Sequence, residues 1–207
     1  MSIDLAIFVS GRGSNMEAIA RACANGELDA KVAVVLANDA TAAAVTIAQE
    51  YAIPAVVVAN QGLSRQEHES KILTALSSYT FDFIVLAGYM RILTPDFLKH
   101  FRDPRGFYRV INIHPSLLPA FPGKSAYEEA FKYGVKVSGI TVHLVDDQVD
   151  HGAILAQQAF PRHDEDTLET FMRRGLKVEH LLYPRVLQQV SQNGIKLQIR
   201  ERESVEI

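Results

Sequence analysis

The chain alternates largely apolar runs with stretches of helical period. "LAIFVS" (5–10), "KVAVVLAN" (31–38), "AVVVA" (55–59), "FDFIVLAG" (81–88) and "YRVINI" (108–113) carry apolar residues at consecutive rather than alternate positions. That pattern marks strands buried on both faces of a sheet. Between the first four runs and after the last of them lie segments 14–25, 41–51, 64–76 and 94–101, which read as helices. In 14–25 the apolar positions are Met16, Ile19, Ala20 and Cys23, three and four apart. Ser14 and Ser64 are each followed three residues later by Glu, a capping-box pattern that places helix starts there.

Past residue 105 the alternation changes. A long loop broken by prolines, rather than a helix, is expected after the fifth strand. "VSGITVHLV" (137–145) and "AILAQQAF" (153–160) then read as two strands joined by "DDQVDHG". Segment 164–194 predicts one long helix, kinked at Pro184 and stopped at Asn193-Gly194. The fold class that follows is α/β: a Rossmann-like open sheet, parallel in its N-terminal half, with antiparallel strands added at the edge and helices on both faces. One domain over 1–207 is expected. Its halves would be 1–105 and 106–190, with a loose polar tail at 200–207.

Composition narrows the function classes. A net charge of −3 argues against binding a nucleic-acid backbone, which calls for clustered positive charge. The single cysteine, Cys23, rules out an intramolecular disulfide and a cysteine-based zinc site. The first residues carry no charged leader, and no apolar run has membrane length, so cytoplasm is the expected location and no membrane partner is expected.

Two stretches carry candidate chemistry. "SGRGSN" (10–15) joins the first strand to the first helix, and a glycine turn opening a helix suits an anion such as a phosphate monoester. Met16 stands where a dinucleotide fingerprint would have its third glycine, and the lysine of a P-loop is absent. The second stretch is "INIHPSLLPAFPG" (111–123). Asn112 and His114 are two apart at the end of a strand, so they point to one side, and Pro115 turns the chain out of the sheet. An amide donor beside an imidazole suits stabilisation of an oxyanion and proton transfer. A carboxylate to orient the imidazole is available among Asp146, Asp147 and Asp150, provided the hairpin turns at the same edge where the fifth strand ends. His143, His151 and His180 read as structural or surface residues, and no metal-ligand spacing is seen.

"SGRGSN", "AGYMRIL", "NIHPSLLPAFPG" and "DDQVDHGAILAQ", in this order and spacing, resemble the phosphoribosylglycinamide formyltransferase branch of the folate-dependent formyltransferases. The resemblance spans roughly residues 3 to 183. It implies formyl transfer from 10-formyltetrahydrofolate, the co-substrate, to glycinamide ribonucleotide in purine biosynthesis, without a metal. Asn112, His114 and Asp150 would be catalytic. Gly13, Ser14 and Asn15 would hold the ribonucleotide phosphate, and Glu179 its glycinamide part. Met90, Arg91, Ile92 and Leu93 would line the folate pocket with Asn112, Arg65 would lie near the glutamate tail, and Asp146, Asp147, Gln148 and Val149 would form a loop against the pterin. Partners would be these small molecules, with the chain a monomer or homodimer. Two departures from the family pattern stand out: His151 replaces a usual glycine after Asp150, and "KSAYEEA" (124–130) replaces a segment that usually holds histidines. A formyltetrahydrofolate hydrolase, and a non-catalytic phosphometabolite-binding module, are the alternative readings.

Overall fold

A computed structural model describes residues 2–195. Its strands are β1 (Ile3–Val9), β2 (Ala30–Ala37), β3 (Ala55–Val57), β4 (Phe83–Leu86), β5 (Val110–His114), β6 (Val137–Leu144) and β7 (Ile154–Pro161). They form one sheet in the order β3-β2-β1-β4-β5-β6-β7. The first five are parallel, and β6 and β7 join antiparallel at one edge. The helices are α1 (Ser14–Ala24), α2 (Ala43–Glu50), α3 (Arg65–Leu76), α4 (Pro95–Lys99), α5 (Ala126–Tyr133) and α6 (Leu168–Asn193). The expected tail at 200–207 lies outside the described residues.

Successive strand residues point to opposite faces, and each face has its own core. Leu5, Ile7 and Val9 of β1, with Ile111 and Ile113 of β5, pack with Met16 and Ile19 of α1 and Phe171, Leu182 and Leu187 of α6. Ala6 and Phe8, with Leu36, Ile84 and Leu86, pack with Ile72 of α3 and Phe97 and Leu98 of α4. The buried Tyr183 hydroxyl lies 3.0 Å from both the Leu86 and Ile111 carbonyls, fixing α6 across β4 and β5. Sheet order reverses between β1 and β4, which makes the carboxyl ends of those strands the topological switch point where ligands bind.

Ser64 and Glu67 form the expected capping box of α3, whereas Ser14 does not cap α1. Gly13 is the cap, in left-handed conformation at φ 77°, and its carbonyl accepts from Glu17 N–H at 2.8 Å. A Cβ on Gly13 would sit 2.6 Å from Ala44 Cβ, so α2 presses the turn too closely for any side chain. Gly13→Ala is therefore expected to lower unfolding free energy by at least about 1–2 kcal/mol from the left-handed backbone alone. Urea denaturation measures this, and an unchanged midpoint would refute it.

The segment after β5 holds a helix that the sequence did not reveal. α5 is two turns long, lacks a side-chain N-cap bond and stops at Gly134, φ 84°; so short a helix gives little periodicity beside the prolines at 115, 119 and 122. The expected edge for the hairpin is also corrected. Antiparallel pairing sets Ile111 opposite Leu144, and Val145 N–H bonds the Val110 carbonyl at 2.9 Å, so β6 leaves the sheet at the start of β5, not its end. Segment 146–151 folds back over the sheet, with Asp150 in left-handed conformation at φ 53°. At Pro184 the helix α6 continues, and Gly194 ends it.

Candidate active site

On the face that carries Ala6 and Phe8, helices α3 and α4 supply the cover over β1 and β2. Over β5 and β6 loops take that place, and the strand residues below become polar. Asn112 lies opposite His143 and His114 opposite Thr141. Thr141 Oγ1 donates to the Ser116 carbonyl at 2.7 Å and accepts from Leu118 N–H at 3.1 Å, which fastens the loop after His114 onto β6.

Asp150 meets the pair of residues expected to need it. Its Oδ2 lies 3.3 Å from His114 Nδ1 and accepts from Gly123 N–H at 2.7 Å. Its Oδ1 lies 3.5 Å from Asn112 Nδ2 and 3.7 Å from His143 Nε2. Burial pushes this carboxyl up, but the polar groups around it, the Gly123 N–H and the His114 ring among them, outweigh it and hold it below the ordinary carboxylate range. On its other edge His114 Nε2 meets the Phe121 carbonyl at 2.8 Å. The ring faces acceptors on both sides, an arrangement satisfied in full only when both nitrogens carry protons.

His143, read from the sequence as structural, belongs to the same cluster. It is 1% exposed. Its Nδ1 is 2.8 Å from the Leu144 carbonyl, which can only accept, so Nε2 is left to accept from Asn112 Nδ2 at 3.2 Å. That contact fixes the Asn112 amide. Its other N–H points toward Asp150 at a distance near the limit of a hydrogen bond, and is the donor a ligand oxygen would take. The strand alternation that pairs 112 with 114 also pairs 141 with 143; the antiparallel register was the missing signal.

At the carboxyl end of β1, Gly13, Ser14 and Asn15 begin α1. Asn15 Nδ2 donates to Glu179 Oε2 at 2.5 Å, and Tyr127 OH donates to Glu179 Oε1 at 2.7 Å. Burial pushes the Glu179 carboxyl up, against the opposing pull of the Tyr127 and Asn15 bonds and the charge of His114. Glu179 is therefore bonded to the glycine turn through Asn15 and to α5 through Tyr127.

The residues expected to line a folate pocket lie on two loops. Met90 and Ile92 are 57% and 45% exposed, while Leu93 is buried in the α3–α4 core. The Met90 N–H bonds Ser10 Oγ at 2.8 Å, and Arg91 lies between Met90 and Ile92, half-buried. Glu69 of α3 accepts from Thr94 N–H at 2.7 Å and anchors the end of this loop. In the second loop Asp146 accepts from Gln148 N–H at 2.9 Å and from His151 Nδ1 at 2.7 Å, and Asp147 accepts from Tyr108 OH at 3.1 Å. Val149 is exposed. Arg65 is exposed at the first turn of α3, and its side chain makes no hydrogen bond or ion pair among the described residues. A cavity of about 690 Å³ beside Ile3, Phe83, Arg102 and Arg109 lies at the other end of the parallel strands, away from this constellation. Among the described residues no group of three or more His, Cys, Asp or Glu side chains is arranged to hold a metal ion, and no helix is long and apolar enough to cross a membrane.

An amide, an imidazole and a carboxylate gathered on an open α/β sheet are a set suited to group-transfer chemistry. The chain belongs to the formyl transferase family, matching it over residues 3–187. It is 40% identical to the phosphoribosylglycinamide formyltransferase of Bacillus subtilis over 186 residues, covering 89% of this chain and 93% of that protein. It is 39% identical to the formyltetrahydrofolate deformylase of Escherichia coli over 165 residues, 80% of this chain and 56% of the deformylase. Among solved structures, glycinamide ribonucleotide transformylase 1 of Symbiobacterium toebii superposes with a TM-score of 0.89 at 36% identity, covering 96% of this chain and 92% of that one.

Proposed function

We propose that the protein passes the formyl group of 10-formyltetrahydrofolate to the amine of glycinamide ribonucleotide. The observation that carries this reading is the cluster in which Asp150 lies 3.3 Å from His114 Nδ1 and 3.5 Å from Asn112 Nδ2. The turn Gly13–Asn15, suited to a phosphate, is bonded to Glu179, whose carboxyl feels the charge of His114. Met90, Arg91, Ile92 and Leu93 and the loop of Asp146, Asp147, Gln148 and Val149 would hold the folate, with Arg65 toward its glutamate tail.

In the reaction the amine attacks the formyl carbon directly. Ser116, the hydroxyl nearest His114 in sequence, is fully buried and donates to the Ala120 carbonyl at 2.5 Å, so it is not placed as a nucleophile. As the carbonyl becomes tetrahedral, the free N–H of Asn112 donates to the oxyanion and the protonated His114 ring supplies positive charge beside it. Asp150 takes the proton from the attacking nitrogen, which turns cationic as it bonds to the formyl carbon, and returns it to the departing folate nitrogen as the carbon–nitrogen bond breaks. Formylated nucleotide and tetrahydrofolate leave, and no covalent enzyme intermediate forms.

A second reading, deformylation with water in place of the amine, is favoured by the similarity to the deformylase over 80% of this chain. Following 10-formyl folate consumption spectrophotometrically, with and without glycinamide ribonucleotide, separates the two. Turnover only with the nucleotide is expected. Equal turnover without it would assign the protein as a deformylase.

A further inference from the structure

One departure from the family pattern, "KSAYEEA", gains a physical reading in the structure. Tyr127, near the start of α5, is 7% exposed. Its ring meets Phe171 edge-on, with centroids 6.0 Å apart and planes at 88°. Its hydroxyl donates to Glu179 Oε1, while Asn15 holds the other carboxylate oxygen. Between Phe171 and Glu179 on α6 lies Gly175, where a Cβ would come within 2.2 Å of the Tyr127 hydroxyl and 2.5 Å of its ring.

Residues 171, 175 and 179 are four apart and so share one face of the helix. They form a slot: an aromatic wall, an open floor and a carboxylate at the end. Glycine inside a helix is unfavourable relative to alanine, and here the space it leaves is filled by Tyr127. Burial pushes the Glu179 carboxyl up, while the hydrogen bond that each oxygen accepts pulls the other way, toward the charged form that is an acceptor only.

We propose that Tyr127 is a positioning residue of the ribonucleotide half-site, holding Glu179 in the orientation that accepts N–H donors of an amino-acyl amide on a phosphoribosyl ligand. This rests on the reading of Glu179 under the proposed function. Tyr127 touches no reacting atom. It acts through Glu179, and through Asn15 on the first turn of α1.

The test is Tyr127→Phe, which keeps the ring in its slot and removes only the hydroxyl, measured beside Glu179→Gln with both substrates varied. Loss of a hydrogen bond to a buried carboxylate corresponds to about a 10- to 100-fold change. The expected result is a rise of that size in KM for glycinamide ribonucleotide in Tyr127→Phe. KM for the formyl folate and kcat should stay within about twofold, a split that general loosening of the fold would not produce. A selective rise in Glu179→Gln with none in Tyr127→Phe would overturn the proposal and leave the Glu179 assignment standing. An unchanged nucleotide KM in Glu179→Gln would reject that assignment, and the role of Tyr127 with it.

Discussion

Asn112→Ala is expected to lower kcat by about 100- to 1000-fold, the effect of deleting one oxyanion donor. Asn112 does not merely fill space on β5. One N–H of its amide is engaged by His143 Nε2 at 3.2 Å, and the other has only the long 3.5 Å approach to Asp150. The second is the free donor, and the first sets its direction. Alanine removes both and leaves the buried His143 nitrogen without its partner, which adds a stability cost of about 1–3 kcal/mol. Steady-state kinetics alongside thermal melting separate the two effects. A folded variant retaining activity within tenfold of wild type would exclude Asn112 as the oxyanion donor.

Asp150→Asn is expected to cost about 100- to 10,000-fold in kcat, the range for loss of a positioned proton-transfer group. The amide is nearly the same shape and keeps an oxygen for Gly123 N–H, so the loop retains its main anchor. What disappears is the negative charge facing His114 Nδ1 at 3.3 Å and the site that carries the proton. The same substitution has a pH signature with a definite sign. Asp150 is held below the ordinary carboxylate range in the folded chain, so its ionisation contributes stability above the pKa of the unfolded chain, about 4. That contribution is lost as pH falls through the lower folded value. The advantage in urea midpoint that this ionisation gives wild type over Asp150→Asn at pH 7 should therefore shrink as the pH is taken down to about 3. A difference that stays constant over this range would mean Asp150 is not held in its charged form.

Strand positions were legible because each run is apolar at consecutive residues, and burial on both faces is the physical cause of that pattern. Asn112 and His114 were legible as polar exceptions two apart on such a strand. From spacing alone Asp150 was one of three aspartates in a turn, and it was singled out only by the family resemblance. What selects it is the left-handed backbone at residue 150 and the Gly123 N–H waiting across the loop, neither of which has a mark in the local sequence. His143 stayed hidden because its partner, Asn112, is 31 residues away and is set by antiparallel register. Ser14 followed by Glu17 looked like a cap because the pattern is local, whereas the close approach of Ala44 that requires glycine at 13 is tertiary. Tyr127 and Gly175 carry the same lesson: each is explained only by the other, across two helices.

The most direct test of formyl transfer at the Asn112–His114–Asp150 cluster is a single turnover with 10-formyltetrahydrofolate labelled in its formyl carbon, enzyme in excess and glycinamide ribonucleotide present. The label is expected to appear in the ribonucleotide as the folate is consumed, with none bound to the protein. Label released as free formate, or retained covalently on the chain, would contradict it.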